Sequence, residues 1–196
     1  MVKGSTVTFT DVDFDNNSAI ASNTASGYAY GGAIMVDFST GNSTGVVRDA
    51  ELVINVVNQD LVYSGNTVSS SGTVDDYDTY GYHLNSAAAG GFLFLDRGSD
   101  AEFNIASGRT LTIGETVTND DTDSIASSIP NTNTDVNKGK QASITKSGVG
   151  TLVVNGSLDK YYGTLSVTAG SMVVNSSWTL KNEVSVAELS LIHISE

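Results

Sequence analysis

Three aspartates are the residues of this sequence that most suggest a chemical site. Asp75, Asp76 and Asp78 lie within four positions of one another and close to His83, and carboxylate oxygens are ligands that Ca²⁺ prefers. Their spacing matches neither the EF-hand loop nor the glycine-rich nonapeptide Ca²⁺ repeat. Because runs of acidic residues are usually solvated, we interpret the cluster as a solvated acidic loop and keep a Ca²⁺ site as the alternative.

A second acidic pattern is the alternation of Asp11, Asp13 and Asp15 with apolar residues between them. In an extended chain the three carboxylates share one face, and paired carboxylates can flank a glycosidic bond. A polar outer face opposite a buried face predicts the same residues, and we prefer that interpretation. His83 has no nucleophile motif around it. These patterns therefore predict no catalytic residue and no cofactor.

Composition excludes several classes of protein. The chain has 9 Lys and Arg against 22 Asp and Glu, a net charge of −13, whereas nucleic-acid binding depends on clustered basic residues. No nucleic-acid partner is therefore expected. The absence of cysteine excludes disulfides and thiolate zinc sites. The longest nearly apolar run, residues 87–95, is far shorter than the ~20 residues of a membrane helix.

Short strands are the elements that must position these side chains. Runs rich in Val, Ile, Thr, Tyr and Phe, such as residues 52–57, 110–113 and 172–174, are separated by Gly, Asn, Asp and Ser, as strands and turns are. No stretch of twelve residues has a convincing helical period. Of the 196 residues, 83 are Gly, Ser, Thr or Asn and one is proline, which suits a turn-rich chain with intact strand ladders. The sequence predicts an all-β fold.

A long repeat runs through the first half of the chain. The run at residues 14–19 (FDNNSA) recurs 49 positions later at 63–68 (YSGNTV), and a degenerate third copy follows at 112–117. Residues 49–54 (DAELVI) likewise match residues 100–105 (DAEFNI). Self-similarity at a fixed spacing is typical of solenoid folds.

A second pair of segments lies between these copies. Residues 28–37 (YAYGGAIMVD) are echoed in two parts, by 80–82 (YGY) and by 90–96 (GGFLFLD). The seven residues at 83–89 separate the two parts. We interpret these seven as an insertion that projects from a stack of coils.

A shorter repeat governs the last third of the chain. Residues 150–157 (GTLVVNGS) return 20 positions later at 170–177 (GSMVVNSS), with a partial echo at 163–167. A period of about 20 fits one coil of a β-solenoid whose coils stack at roughly 4.8 Å. The longer repeat unit of the first half is then predicted to be two longer coils. Equivalent Asn, Ser and Thr side chains are expected to form hydrogen-bonded ladders along the axis.

These motifs resemble two families of secreted repeat. The F-x-x-N at 14–17 and the G-G-A-I at 31–34 resemble the paired motifs of polymorphic outer-membrane proteins, and residues 63–66 and 90–93 are altered copies. Residues 144–174 are similar to the autotransporter-associated β-strand repeat. The repeat-motif residues are Phe14, Asn17, Gly31, Gly32, Tyr63, Asn66, Gly90, Gly91, Gly150, Gly163 and Gly170.

The resemblance implies a right-handed parallel β-helix from an autotransporter passenger of a Gram-negative-type bacterium, displayed at the cell surface or secreted. It implies a stalk or adhesin that binds host or matrix glycans or proteins, with membrane contact only through a C-terminal β-barrel that these residues do not include. A polysaccharide lyase or glycoside hydrolase on the same fold is the alternative. We expect motif-bearing coils at 1–118, a polar join at 119–143 and coils of the second repeat type at 144–188.

The last eight residues, 189–196 (LSLIHISE), resemble an in-frame translation of the transposase end sequence used in DNA library preparation. We therefore expect a non-native tail and a reading frame truncated near Glu188, with a natural terminal strand as the alternative.

An open solenoid end leaves strand edges unpaired. The isolated fragment is expected to aggregate, and light scattering that finds a soluble monomer at high concentration would contradict this.

Overall fold

The computed structural model describes most, but not all, of the chain. The described residues are 2–3, 5–21, 28–37, 39–40, 47–48, 50–70, 76–77, 83–84, 87–95, 98–114, 117–119, 142–156, 158, 161, 163–176, 184–188 and 190–194. These residues form β-strands and turns. Within them there is no helix of the length and apolarity needed to cross a membrane.

Twenty-three short strands are found in the described residues. They are β1 Val2–Lys3, β2 Thr6–Thr10, β3 Ser18–Ala21, β4 Tyr28–Tyr30, β5 Ile34–Asp37, β6 Ser39–Thr40, β7 Val47–Arg48, β8 Glu51–Val56, β9 Leu61–Tyr63, β10 Thr67–Ser70, β11 Asp76–Tyr77, β12 His83–Leu84, β13 Ala87–Ala89, β14 Leu93–Leu95, β15 Asp100–Ile105, β16 Thr110–Ile113, β17 Val117–Asn119, β18 Ser143–Ser147, β19 Thr151–Val154, β20 Thr164–Val167, β21 Ser171–Val174, β22 Val184–Val186 and β23 Leu191–Ile194.

The strands stack into parallel sheets that form the faces of a helix of coils. The six-stranded sheet has the order β2-β8-β15-β18-β20-β22, the five-stranded sheet β23-β21-β19-β16-β9, and the four-stranded sheet β1-β5-β14-β17. Two smaller parallel pairs are β3 with β10 and β4 with β13. Because the chain passes from sheet to sheet and returns parallel to itself, the fold is a parallel β-helix fragment, as predicted.

The coils have two lengths. In the last third of the chain, Thr151 pairs with Ser171, 20 residues further on, which confirms the predicted length of the short coil. In the first half, Asn55 pairs with Asn104, 49 residues further on. The prediction that the longer repeat unit makes two coils is therefore wrong, because the whole unit is a single long coil.

Additional faces account for the long coil. A short coil places one strand in the six-stranded sheet and one in the five-stranded sheet. A long coil continues through the two small pairs and the four-stranded sheet before it returns. The coils already become shorter before the last third of the chain. Strand β14 pairs with β17, and the paired residues Leu93 and Val117 are separated by about half the number of residues in a long coil. The predicted join at 119–143 lies largely outside the described residues, so the domain boundaries remain predictions.

Two alignments drawn from the sequence differ from the observed register. Leu52 pairs with Ala101, whereas the repeat match placed it opposite Phe103, two positions further on. A shift of two keeps every side chain on the same face, and for that reason the sequence match looked acceptable. In the second case Ala87–Ala89, not residues 80–82, pairs with Tyr28–Tyr30.

The predicted insertion is therefore misplaced. Ala87–Ala89 belongs to the stack, while Asp76–Tyr77 pairs antiparallel with His83–Leu84. This antiparallel pair lies in the chain between β10 and β13 and belongs to none of the parallel sheets. The part of the chain that lies outside the parallel sheets therefore includes Asp76–Tyr77, earlier in the chain than the sequence suggested.

Alternation of side chains builds the core. In β8 and β15 every second residue is buried, since successive side chains of a strand point to opposite faces. Each coil places an apolar residue above its equivalent in the next, as in the column Leu61, Leu111, Leu152 and Met172, none of which is more than 2% exposed. The core is thus one continuous column of stacked coils.

Candidate functional site

An aromatic cluster explains the aromatic position of the F-x-x-N motif. The rings of Phe14 and Tyr63 meet edge to face with centroids 5.4 Å apart, and Phe92 lies 4.8 Å from Tyr63. Tyr63 is fully buried, and its hydroxyl donates to the Val12 carbonyl at 3.1 Å. Burial, followed by the negative charge of nearby aspartates, raises the pKa of Tyr63. The motif aromatics therefore belong to the core, with Tyr63 inside it and Phe14 packed against it.

The asparagines of the same motif form a ladder between coils. Asn66 is buried and its Oδ1 accepts from Nδ2 of Asn17 at 2.9 Å and from the Asn17 backbone N–H at 3.1 Å. Its own Nδ2 donates to the Phe14 carbonyl at 2.7 Å. Asn66 thus satisfies backbone groups of the preceding coil. The predicted ladder is confirmed at this position.

Paired glycines make the sharp turn into the four-stranded sheet. Gly31 and Gly90 have φ of +62° and +74°, a region in which residues with a side chain are strained. Gly32 lies where a Cβ would clash with the Gly91 carbonyl, and with the Thr67 carbonyl at 2.7 Å. Both pairs stack at the same corner, which explains the G-G motif.

Glycines of the second repeat type lie at equally close contacts. A Cβ on Gly150 would meet the Arg109 carbonyl at 2.6 Å, and one on Gly163 would meet the Tyr161 ring at 2.6 Å. Gly170 has a φ of +68°, and its Cβ would clash with the Gly150 carbonyl. These positions require glycine for close stacking of neighbouring coils.

Carboxylates of the alternating aspartates bond to the next coil instead of lining an open site. Asp11, at a φ of +50°, accepts from the backbone N–H of Val57 at 2.7 Å and from Nδ2 of Asn58 at 2.7 Å. Asp15 accepts from the Ser64 N–H at 3.0 Å. One coil lower, Asp60 accepts from the Thr110 N–H at 2.9 Å.

Hydrogen bonding also sets the charge state of Asp11. The Val57 N–H is the largest cause that lowers the pKa of Asp11, and attraction from Arg109 is the smallest. The carboxylate is therefore held ionised as an acceptor for backbone groups. A general acid would require the opposite shift.

The outer face of the six-stranded sheet carries a second set of polar contacts between coils. Carboxylates of Glu51, Asp100 and Glu102 each accept from a hydroxyl of an adjacent coil. Beside them, Nδ2 of Asn104 donates to Asn55 at 3.1 Å. Hydroxyl pairs continue the pattern further down, as in the hydrogen bond between Ser185 and Ser166. Side-chain ladders along the axis are therefore confirmed on this face.

The Ca²⁺ candidates fall at the hairpin β11–β12. Asp76 lies in β11 opposite Leu84, whereas Asp75 and Asp78 lie outside the described residues. In the part of the chain that the structure describes, no group of three or more His, Asp or Glu is placed to hold a metal ion. The Ca²⁺ alternative therefore stays a prediction.

Lys146 is a buried charged residue that sequence reasoning missed. It is 0% exposed, and its Nζ donates to the carbonyls of Ser147 and Gly148 at 2.7 Å and of Ala169 at 3.1 Å. Burial lowers its pKa to about 8. The sequence did indicate its burial, because Lys146 lies two positions after Ile144 and therefore on the same, core-facing side of β18.

The segment predicted to be a non-native tail also joins the stack. Leu191–Ile194 pairs in parallel with β21, and Ile192 packs against the core. Leu191, on the outer face, is 60% exposed. This placement does not decide the origin of the segment, since any extended chain with an apolar residue at the inward position can extend a sheet edge.

Comparison with known proteins supplies one relative. The chain is 34% identical over 169 residues to "Probable autotransporter YfaL" of Escherichia coli (strain K12), a match that covers 85% of this chain and 11% of that protein. No family model and no solved structure matches the chain. The chain thus spans about a tenth of the curated relative it matches. Together with the parallel coils, this identity makes the chain a distant homologue of part of a probable autotransporter.

Proposed function

We propose that this chain is a segment of an autotransporter passenger that stands outside a Gram-negative cell as a β-helical stalk. The observation that carries the proposal is the 34% identity to a probable autotransporter over 85% of the chain. The finer resemblances, to polymorphic outer-membrane protein motifs and to the autotransporter-associated repeat, support the same assignment. Surface display of the parent protein follows from this proposal.

Continuous ladders between coils support the role of a stalk. Parallel pairing joins six strands in one sheet and five in another, and carboxylate, amide and hydroxyl contacts reinforce the stack on its outer face. Each coil contacts only its neighbours, so the stack can extend without a change of design. Such a rod suits a spacer that holds binding elements away from a membrane.

Hairpins are the elements that we propose for binding. The antiparallel pairs β6–β7 and β11–β12 belong to none of the parallel sheets, and they lie in the chain between β5 and β8 and between β10 and β13. Segments that project from a rigid scaffold commonly carry recognition. We propose that they contact glycans or proteins of a host or matrix, and that a Ca²⁺ ion at the acidic hairpin is one way to order them.

Binding is proposed in preference to catalysis because of how the carboxylates are used. Asp11, Asp15 and Asp60 accept from backbone N–H groups of the next coil. A lyase or hydrolase on this fold would need carboxylates that converge on a substrate. The bonding of these three residues favours a scaffold role.

A segment exchange tests the passenger assignment. Residues 1–188 would replace the homologous segment of the Escherichia coli relative, with an epitope tag inserted next to them. Antibody labelling of intact cells, and loss of the label after external protease, are expected. Retention of the tagged protein inside cells that still display the unmodified relative would contradict the proposal.

A deletion tests the adhesive role separately. Replacement of residues 76–84 by a short Gly-Ser linker removes the hairpin β11–β12 and leaves Ala87–Ala89 to pair with Tyr28–Tyr30. We expect displayed cells to lose adhesion to a glycan array or a matrix-coated surface while display is unchanged. A second variant, in which residues 39–48 are replaced in the same way, removes the other hairpin proposed for binding, β6–β7, and should also lower adhesion. Equal adhesion by all three displayed proteins would refute binding through the hairpins.

A further inference from the structure

Lys146 ends in a closed cradle of backbone oxygens. A lysine ammonium has three N–H donors, and the three carbonyl acceptors of Ser147, Gly148 and Ala169 lie within 3.1 Å of Nζ. The side-chain stem runs among apolar neighbours, because Lys146 pairs with Phe103 on one side and Val167 on the other. Both of these residues are at most 1% exposed.

The cradle lies where the corners of the coils become tighter. Strand β15 is separated from β16 by residues 106–109, whereas the shorter segment 148–150 separates β18 from β19, and 168–170 separates β20 from β21. Two of the carbonyls come from the start of the first tight corner and the third from the next corner. The ammonium therefore connects two successive coils.

An empty cradle would destabilise the folded state. A carbonyl that is screened from water and left without a donor pays a desolvation penalty, and the three partly buried carbonyls of the cradle would be left together in that state. A group that fills it must be cationic or must present several N–H donors, and it must reach the corner through an apolar channel. A primary ammonium on a short alkyl chain meets both requirements.

We infer that the carbonyls of Ser147, Gly148 and Ala169 form an internal binding site for a primary alkylammonium ion, which the Lys146 side chain occupies. Lys146→Ala removes a propylammonium group from this channel. Because a non-bonded contact is longer than a covalent bond, ethylammonium, one carbon shorter, is the ligand expected to fill the vacated space. An engineered internal cavity in a protein can bind a small molecule of matching shape.

Thermal unfolding with added ions tests the site. Lys146→Ala is expected to melt below the wild type, and ethylammonium chloride at ten times its Kd is expected to raise the Tm of this variant by about 4 °C. Tetramethylammonium chloride, which has no N–H donor, should leave it unchanged. Lys146→Met, whose side chain fills the channel, should show no effect of ethylammonium. Equal effects of both ions, or of ethylammonium on both variants, would overturn the inference.

A measurement on the wild type covers the case in which Lys146→Ala does not fold. Three hydrogen bonds to the ammonium of a side chain that is 0% exposed should slow exchange of its protons. A ¹H–¹⁵N correlation spectrum at pH 6 is therefore expected to show a distinct lysine Nζ signal that is absent from Lys146→Met. If every lysine Nζ exchanges with water at the rate of a free amine, the cradle does not exist in solution.

Discussion

Single residues at the corners decide whether one coil can lie on the next. Gly148 and Gly170 have φ of +69° and +68° and lie on successive corners of the short coils. In the long coils, Asp11 and Asn16 have positive φ without being glycine. Asn and Asp tolerate this region better than most residues, and in Asp11 the carboxylate is in addition used to hold the backbone of the next coil.

Close stacking at Gly170 can be separated from backbone strain by a matched pair of variants. Gly108 has a φ of +69° and no atom within 4 Å of the position that a Cβ would take, whereas a Cβ on Gly170 would lie 2.7 Å from the Gly148 carbonyl. Gly108→Ala should cost about 1 kcal/mol from strain alone. Gly170→Ala should cost about 3 kcal/mol, since overpacking is added to the same strain. Urea unfolding of both variants measures the difference, and equal losses would show that stacking is not tight at Gly170.

The ionisation of Lys146 should make stability depend on pH. Its folded-state pKa of about 8 lies below the ordinary value of 10.5 because burial removes water from the ammonium. Between these two values the unfolded chain binds a proton that the folded chain does not, so the free energy of unfolding should rise with pH. The rise from about pH 8 to about pH 9.5 should be about 2 kcal/mol.

Urea unfolding of the wild type and of Lys146→Met at both pH values checks this contribution. The variant should lack the rise. Staying at or below about pH 9.5 keeps buried tyrosines neutral, because burial raises the pKa of Tyr63 and Tyr161 above the ordinary 10.0, and their stabilising contribution changes only at higher pH. Parallel pH profiles of the two proteins would contradict the assignment.

At the scale of elements, side-chain ladders join strands that backbone hydrogen bonds already align. Asn66 is buried, and its side chain donates to the Phe14 carbonyl and accepts from the Asn17 N–H. Asn104 makes an equivalent contact to Asn55 on the exposed outer face. Burial therefore separates two otherwise similar ladders.

We predict that Asn66→Ala lowers the free energy of unfolding by about 2 kcal/mol, because it removes a buried side chain that bonds to the Phe14 carbonyl and the Asn17 N–H of the preceding coil. Asn104→Ala should change it by less than about 0.5 kcal/mol, since water replaces the lost partner. Chemical denaturation of the two variants beside the wild type provides the comparison. A loss at Asn104 as large as that at Asn66 would show that the ladder acts through the stacked amides and not through burial.

Strand pattern and turn residues were enough to predict the parallel coils, but not how many faces a coil has. Side-chain parity is local, so the alternation in β8 or β15 can be recognised from the sequence. Coil length depends on how many sheets the chain visits before it returns, and the long coil includes three faces that the short coil omits. Lys146 shows a related limit, because its partners are backbone carbonyls, which no side-chain motif records.

Considered as a whole, the molecule is a one-dimensional stack in which each coil contacts only its neighbours. Stability in such a stack is approximately a sum of coil and interface contributions. The six-stranded and five-stranded sheets run through both the long and the short coils, so the change of coil length does not interrupt the core. A perturbation at one end should therefore fade along the axis.

Removal of residues 189–196 tests this expectation at the end where β23 covers β21. The deletion takes away the strand pairing of Ser171–Val174 with Leu191–Ile194 and the packing of Ile192. Hydrogen exchange measured by mass spectrometry should show lost protection in Ser171–Val174, while Glu51–Val56, several coils away, keeps its protection. The matched control, Leu191→Ser, changes an outward residue that is 60% exposed and should preserve protection in both segments. Uniform loss of protection along the chain would mean that the coils unfold as one cooperative unit, and that the last strand stabilises all of them whatever its origin.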